Sequence, residues 1–190
     1  MNTIFRALAT VALATIAVAG CSKQVRYGDA GAVETVTVEF GSTDLQQIAE
    51  SMARSMLQAP VIANGNQPII TVQEVKNKTS EYIDTRAITD SIRAQLSKSG
   101  KVRFAVDEAD MQRQIAELQR QQSEYYQKEQ AAEIGKMVGA GYRLGGSIVS
   151  IVKETKKVKD VYYKFTLQLW NVQNGLLEWA DEKEIRKTES

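Results

Sequence analysis

The sequence predicts an α/β chain of the α+β type: one small mixed or antiparallel sheet of four to five strands, packed by three to four helices, over residues 41–190. Three observations predict it. Apolar residues recur at helical spacing after Thr43, after Asp84 and after Asp107. Two β-branched runs, PIITVQEV and KVRFAV, flank the second of these helices. The last fifty residues then read as three strands, YRLGGSIVSIV, VYYKFTLQLW and LLEWADEKEI.

Ahead of the domain, Arg6 precedes a run of thirteen uncharged residues from Ala7 to Ala19. This is the layout of a secretory signal peptide over residues 1–20, and the run is shorter than the roughly 20 apolar residues that a membrane-spanning helix needs. Val18-Ala19-Gly20-Cys21 has the form of a bacterial lipobox, and Cys21 is the only cysteine in the chain. A single thiol forms no internal disulfide. Cys21 is therefore the expected lipidation site, acylated after cleavage on its amino side. Ser22 stands where lipoproteins held in the inner membrane typically carry aspartate, which points to the outer membrane. Cleavage leaves 170 residues with 23 basic and 23 acidic side chains. That length suits one domain with its own core, and the balanced charge creates no field that would draw the chain to nucleic acid. Residues 21–40 read as the lipidated cysteine and a short tether, with at most a short strand at Thr35–Phe40.

The first helix opens at Thr43 as N-cap, with Gln46 placed to complete a capping box and Leu45, Ile48, Met52 and Met56 on one stripe; it stops before Pro60. PIITVQEV follows as the first core strand, and Asn77-Lys78-Thr79 as a polar loop. Asp84 caps the second helix, Ile83 and Ile88 staple it, Ile88, Ile92 and Leu96 form its buried stripe, and Gly100 closes it. KVRFAV is a short strand. A third helix from Asp107 presents Met111, Ile115 and Leu118, breaks at 121–127 and resumes as a shorter helix ending near Met137. In the closing hairpin a Gln173-Asn174-Gly175 loop, with Gly175 left-handed in a bulge, sets Leu169 opposite Trp179 and Tyr163 opposite Ile185. The core face is then Val161, Tyr163, Phe165, Leu167, Leu169, Leu177, Trp179 and Ile185. The other face carries Tyr162, Lys164, Thr166, Gln168 and Trp170. Tyr162 and Trp170, aromatic among polar residues, are the candidate partner-binding anchors.

No chemistry assembles around these elements. With no histidine and one cysteine the chain lacks the two commonest metal-binding side chains, so neither metal nor cofactor is expected. Gly135, Gly139, Gly141 and Gly145 run from a helix into a strand, the reverse of a dinucleotide loop, and read as helix termination and close packing. Asp107, Glu108 and Asp110 suit the first turn of a helix. Asp181, Glu182 and Glu184, alternating with Lys183, mark a solvated edge strand. The chain reads as a binding protein, with no catalytic residues and no small-molecule substrate.

So assembled, the chain resembles the LpoB-like activators of bifunctional penicillin-binding proteins over about residues 40 to 186. The resemblance lies in the lipobox cysteine, a helix ending in SML and a strand leading into NKT. It continues through SGKVRF, IGKMVGAGYRLGGSI and the QNGLLEW hairpin. It implies an outer-membrane lipoprotein facing the periplasm, whose domain is similar to the amino-terminal domain of TolB. Such a protein docks on a non-catalytic domain of a class A penicillin-binding protein and stimulates peptidoglycan synthesis, glycan polymerisation and peptide cross-linking alike. An envelope-assembly lipoprotein of the same fold, serving a secretion or adhesion system, is the alternative. The chain departs from the enteric pattern in lacking a long proline-rich tether.

Overall fold

Alternation of Val161, Tyr163, Phe165, Leu167 and Leu169 with polar neighbours makes a strand that buries one face only, and the rest of the fold supplies the cover for that face. The computed structural model describes residues 26–190; the leader and Cys21 lie outside the described residues. In chain order the elements are α1 (Ser42–Gln58), α2 (Pro60–Ala63), β1 (Ile69–Val72), β2 (Lys76–Lys78) and α3 (Thr85–Lys98). They continue with β3 (Arg103–Phe104), α4 (Glu108–Gln121), β4 (Tyr142–Glu154), β5 (Lys159–Asn171) and β6 (Leu177–Glu189). The sheet runs β3-β1-β4-β5-β6, and β2 adds a sixth strand on β4 beyond the end of β1. Pairing is parallel among β1, β2, β3 and β4 and antiparallel through β4, β5 and β6, so the sheet is mixed.

The α1 and α3 stripes supply the cover. Ile48, Met52 and Met56 of α1 and Ile88, Ile92 and Leu96 of α3 are buried with the inner face of β5 in one core. The α3 signals all act as expected. The Asp84 carboxylate accepts from the Arg86 and Ala87 amides at 3.0 and 3.2 Å, and Ile83 and Ile88 are both buried. The closing hairpin also takes the expected register, Leu169 opposite Trp179 and Tyr163 opposite Ile185, with Gly175 at a φ of 72° that suits glycine.

Several expectations are corrected. The α1 N-cap is Gly41, whose amide donates to the Asp44 carboxylate at 2.9 Å; Thr43 lies inside the first turn and accepts from the Glu34 amide. Asn77 and Lys78 belong to β2, because backbone pairing with β4 asks nothing of the side chains. Residues 122–141 hold turns and irregular backbone in place of the expected helix near Met137. None of α4 is fully buried, and Ile115 is exposed. Leu177 leaves the core face. The bulge between Leu169 and Trp170 shifts the register by one, so Leu177 stands opposite Trp170 and is exposed.

The tether boundary moves as well. The chain divides into two compact units, Met1–Ala32 and Val33–Ser190. Within the first, Asp29 closes a turn by accepting from the Gly31 and Ala32 amides. Residues 33–40 belong to the second unit as a strap held by its own contacts. Val38 is buried, and the Phe40 ring meets the Tyr163 ring edge-on at 5.8 Å. The Tyr163 hydroxyl donates to the Glu81 carboxylate and to the Val38 carbonyl, while the Phe40 amide donates to Glu81 at 3.0 Å. Burial and the Glu81 carboxylate raise the Tyr163 pKa, which keeps this donor protonated. Lys159 pairs with Glu39 at 2.7 Å, and the Lys187 ammonium donates to the Glu39 carbonyl at 2.7 Å.

Candidate partner-docking surface

Both helical stripes cover one face of the sheet, and the opposite face of β5 carries Tyr162 and Trp170, each half-buried. They do not form one patch. Eight residues separate them along a strand that rises about 3.3 Å per residue, so they stand about 26 Å apart near its two ends. Each has its own surroundings. The Arg186 guanidinium lies 5.5 Å from the Tyr162 ring centroid, and the Tyr162 hydroxyl donates to Glu184 at 2.6 Å. The Glu184 carboxylate raises the Tyr162 pKa by accepting that bond. Tyr162 is thus engaged in cross-strand contacts with β6.

Trp170 stands at the base of the closing turn. The Arg143 guanidinium of β4 lies 5.7 Å from its ring centroid and is held there by Gln73, whose Oε1 accepts from Arg143 at 3.0 Å. Leu177 faces Trp170 across the bulge, and Val172 and Leu176 project from the turn, Leu176 at 60 % exposure. The turn that carries them is cross-braced. Asn171 Oδ1 accepts from the Gln173 and Asn174 amides at 3.0 and 3.3 Å, Asn174 Oδ1 accepts from Leu176, and the Asn171 carbonyl accepts from Gly175. With its backbone amides satisfied, the turn presents apolar side chains at little further cost in conformational entropy.

This arrangement sets the exposed aliphatic side chains of Val172, Leu176 and Leu177 among Asn171, Gln173 and Asn174, with a tryptophan at its base, the Arg143 cation over the ring, and the Glu178 carboxylate accepting from Asn171 Nδ2 at 3.1 Å. It suits a protein contact whose centre is apolar and whose rim is polar. Sequence reasoning found Trp170 but not Val172, Leu176 or Leu177. The available signal was VQNGLL itself, where three aliphatic residues surround a turn motif that is ordinarily polar. Among the described residues no group of three or more histidine, cysteine or acidic side chains is placed to hold a metal ion. Among the same residues no helix is long and apolar enough to cross a membrane.

Comparison with known proteins places the chain. The family model for the peptidoglycan-synthase activator LpoB matches residues 44–185. Among solved structures, the LpoB C-terminal domain from Salmonella enterica is similar at 19% identity and a TM-score of 0.46, covering 75% of this chain and 98% of that one. The LpoB C-terminal domain from Escherichia coli gives 19% identity, a TM-score of 0.47 and the same coverage of 75% and 98%. Lipoprotein GNA1162 from Neisseria meningitidis gives 16% identity and a TM-score of 0.40, with 64% and 83% covered. No curated protein matches the chain.

Proposed function

Because this chain belongs to the peptidoglycan-synthase activator LpoB family, we propose that it binds a bifunctional, class A penicillin-binding protein and activates it allosterically, from a lipid anchor at Cys21 in the outer membrane. The family is regulatory rather than catalytic, and its members are envelope lipoproteins. The observation that supports the docking reading is the braced apolar tip, with Trp170 as its anchor and Val172, Leu176 and Leu177 around it. Tyr162 stands outside this contact.

An activator without catalytic groups works by binding the partner's active conformation more tightly than its resting one. Such coupling is typically about 1–3 kcal/mol and is reciprocal, so a substrate analogue that selects the active state tightens binding of this lipoprotein by the same factor. The test uses residues 22–190, the purified synthase and its lipid-linked substrate. Stimulated glycan polymerisation is expected. Trp170→Ala should weaken binding by about 2 kcal/mol, roughly thirtyfold, while Tyr162→Ala changes little. Absence of binding and stimulation by the folded wild-type chain would overturn the assignment. Loss on Tyr162→Ala with normal binding by Trp170→Ala would overturn the choice of surface.

A further inference from the structure

We propose that the opposite end of the sheet, the tip of the β4–β5 hairpin, is a second interaction surface that rests on an anionic lipid leaflet. It rests on the reading of Cys21 as a lipid anchor. The tip reads IVKETKKV over residues 151–158, with Lys153, Lys156 and Lys157 beside Glu154, while Asp160 stands opposite Lys153 and Glu189 opposite Lys159 one step behind the turn. Among the described residues none of these three lysines forms an ion pair, whereas the neighbouring Lys159 is paired with Glu39. Interleaved with them, Ile151 is 55 % exposed, and Val152 and Val158 are exposed too. The turn is fixed, since the Thr155 amide donates to the Val158 carbonyl at 2.8 Å and Thr155 Oγ1 accepts from the Lys157 and Val158 amides.

Lysines and aliphatic side chains mixed on one rigid tip match a membrane interface. There the apolar groups enter the acyl boundary while long lysine stems carry their ammonium groups to the phosphates. An acidic protein surface would match the lysines alone. The path of the chain selects the lipid. The strap is clasped at this end, through Glu39 on Lys159, and Lys159 is the residue opposite Glu154. Residues 22–32 then lead back to Cys21, and eleven residues span at most about 40 Å.

Among the described residues the first buried core residue is Val38, so residues 22–190 keep the described core. Its sedimentation with phosphatidylcholine vesicles, with and without phosphatidylglycerol, is the test. Binding should require phosphatidylglycerol and weaken as salt rises. The combined K153E/K156E/K157E variant should lose at least about tenfold in affinity. Ile151→Ser with Val158→Ser should also weaken binding with an unchanged circular dichroism spectrum, while Trp170→Ala binds vesicles normally. Equal binding to neutral vesicles, no binding, or an unaffected lysine variant would overturn the proposal, as would binding to purified sacculi in place of vesicles. The anchor is tested separately, by the mass of the amino-terminal peptide from cells. An unacylated Cys21 would sink the anchor and leave the vesicle result standing.

Discussion

The Lys187 ammonium of β6 lies 2.5 Å from the carboxylate of Asp44 in α1, and Asp44 is only 2 % exposed. This pair joins the first helix to the last strand, with Asp44 also accepting from the Gly41 amide. Removing one partner leaves a charge buried without compensation, which costs about 3–5 kcal/mol. Lys187→Met should therefore lower stability by about 3 kcal/mol in denaturant melts. Combining it with Asp44→Asn should restore most of the loss, because the asparagine oxygen can still accept from Gly41. Additive losses would refute the coupling.

Acid should weaken the hold on the strap. The Lys159 hydrogen bond, assisted by Thr37, lowers the Glu39 pKa to about 2 from an ordinary 4.5. A depressed carboxyl contributes stability above its unfolded value, and that contribution is lost as pH falls from about 4.5 towards 2. Lys159 is raised by Glu39, so its share holds below 10.5 and fades as pH rises past that value. Burial works against Asp107, but the Arg93 hydrogen bond and the Asp110 amide outweigh it and lower its pKa, which adds to the acid limb. Stability measured from pH 6 to pH 2 should fall less steeply in Glu39→Gln than in the wild type. Identical slopes would show that Glu39 carries no part of the linkage.

Adjacent glycines of β4 should respond in opposite ways to alanine. A Cβ on Gly146 would stand 2.0 Å from the Thr166 carbonyl oxygen of β5, whereas a Cβ on Gly145 would meet the Gln73 side chain at 3.5 Å. Gly146→Ala should destabilise by about 1–3 kcal/mol or more through forced backbone movement. Gly145→Ala should be neutral or stabilising by about half a kcal/mol. Equal effects in thermal melts would contradict the packing.

The proposed tether shortens to residues 22–32, because 33–40 belong to the second unit, and eleven residues span at most about 40 Å. Deleting five residues within this stretch should impair activation in cells, while affinity between purified proteins stays unchanged. Inserting flexible glycine and serine should preserve or improve it. Undiminished activation by the deletion at normal expression would show that reach is not limiting.

Local signals were legible wherever several agreed on one residue. Around α3, cap, staple and stripe all pointed to the same start, and the turn at Gly175 set the register of the whole closing hairpin. What stayed hidden depended on partners distant in the chain. Asp44 and Lys187 lie 143 positions apart, and nothing local announces that they will be buried together. The strap looked like a linker because its hold comes from Glu81, Lys159, Tyr163 and Lys187 rather than from its own residues. The Trp170 tip was half visible. Its tryptophan followed from strand alternation, but the bulge that turns Leu177 outward shifts that alternation by one residue.

The clasp on the strap bears on mechanics. A pull along the chain from the proposed Cys21 anchor would be taken first by the Glu34 carboxylate on the Ser42 amide and by Thr43 Oγ1 on the Glu34 amide. Behind these lie the Val38 and Glu39 contacts with Tyr163, Lys159 and Lys187. The last two sit on separate strands and would share the load, so the strap should yield in stages before the β4–β5–β6 ladder does. Moored as proposed, the domain would give up a few residues of slack under tension and reclaim them at rest, without disturbing the turn that carries Trp170 at the far end of the sheet.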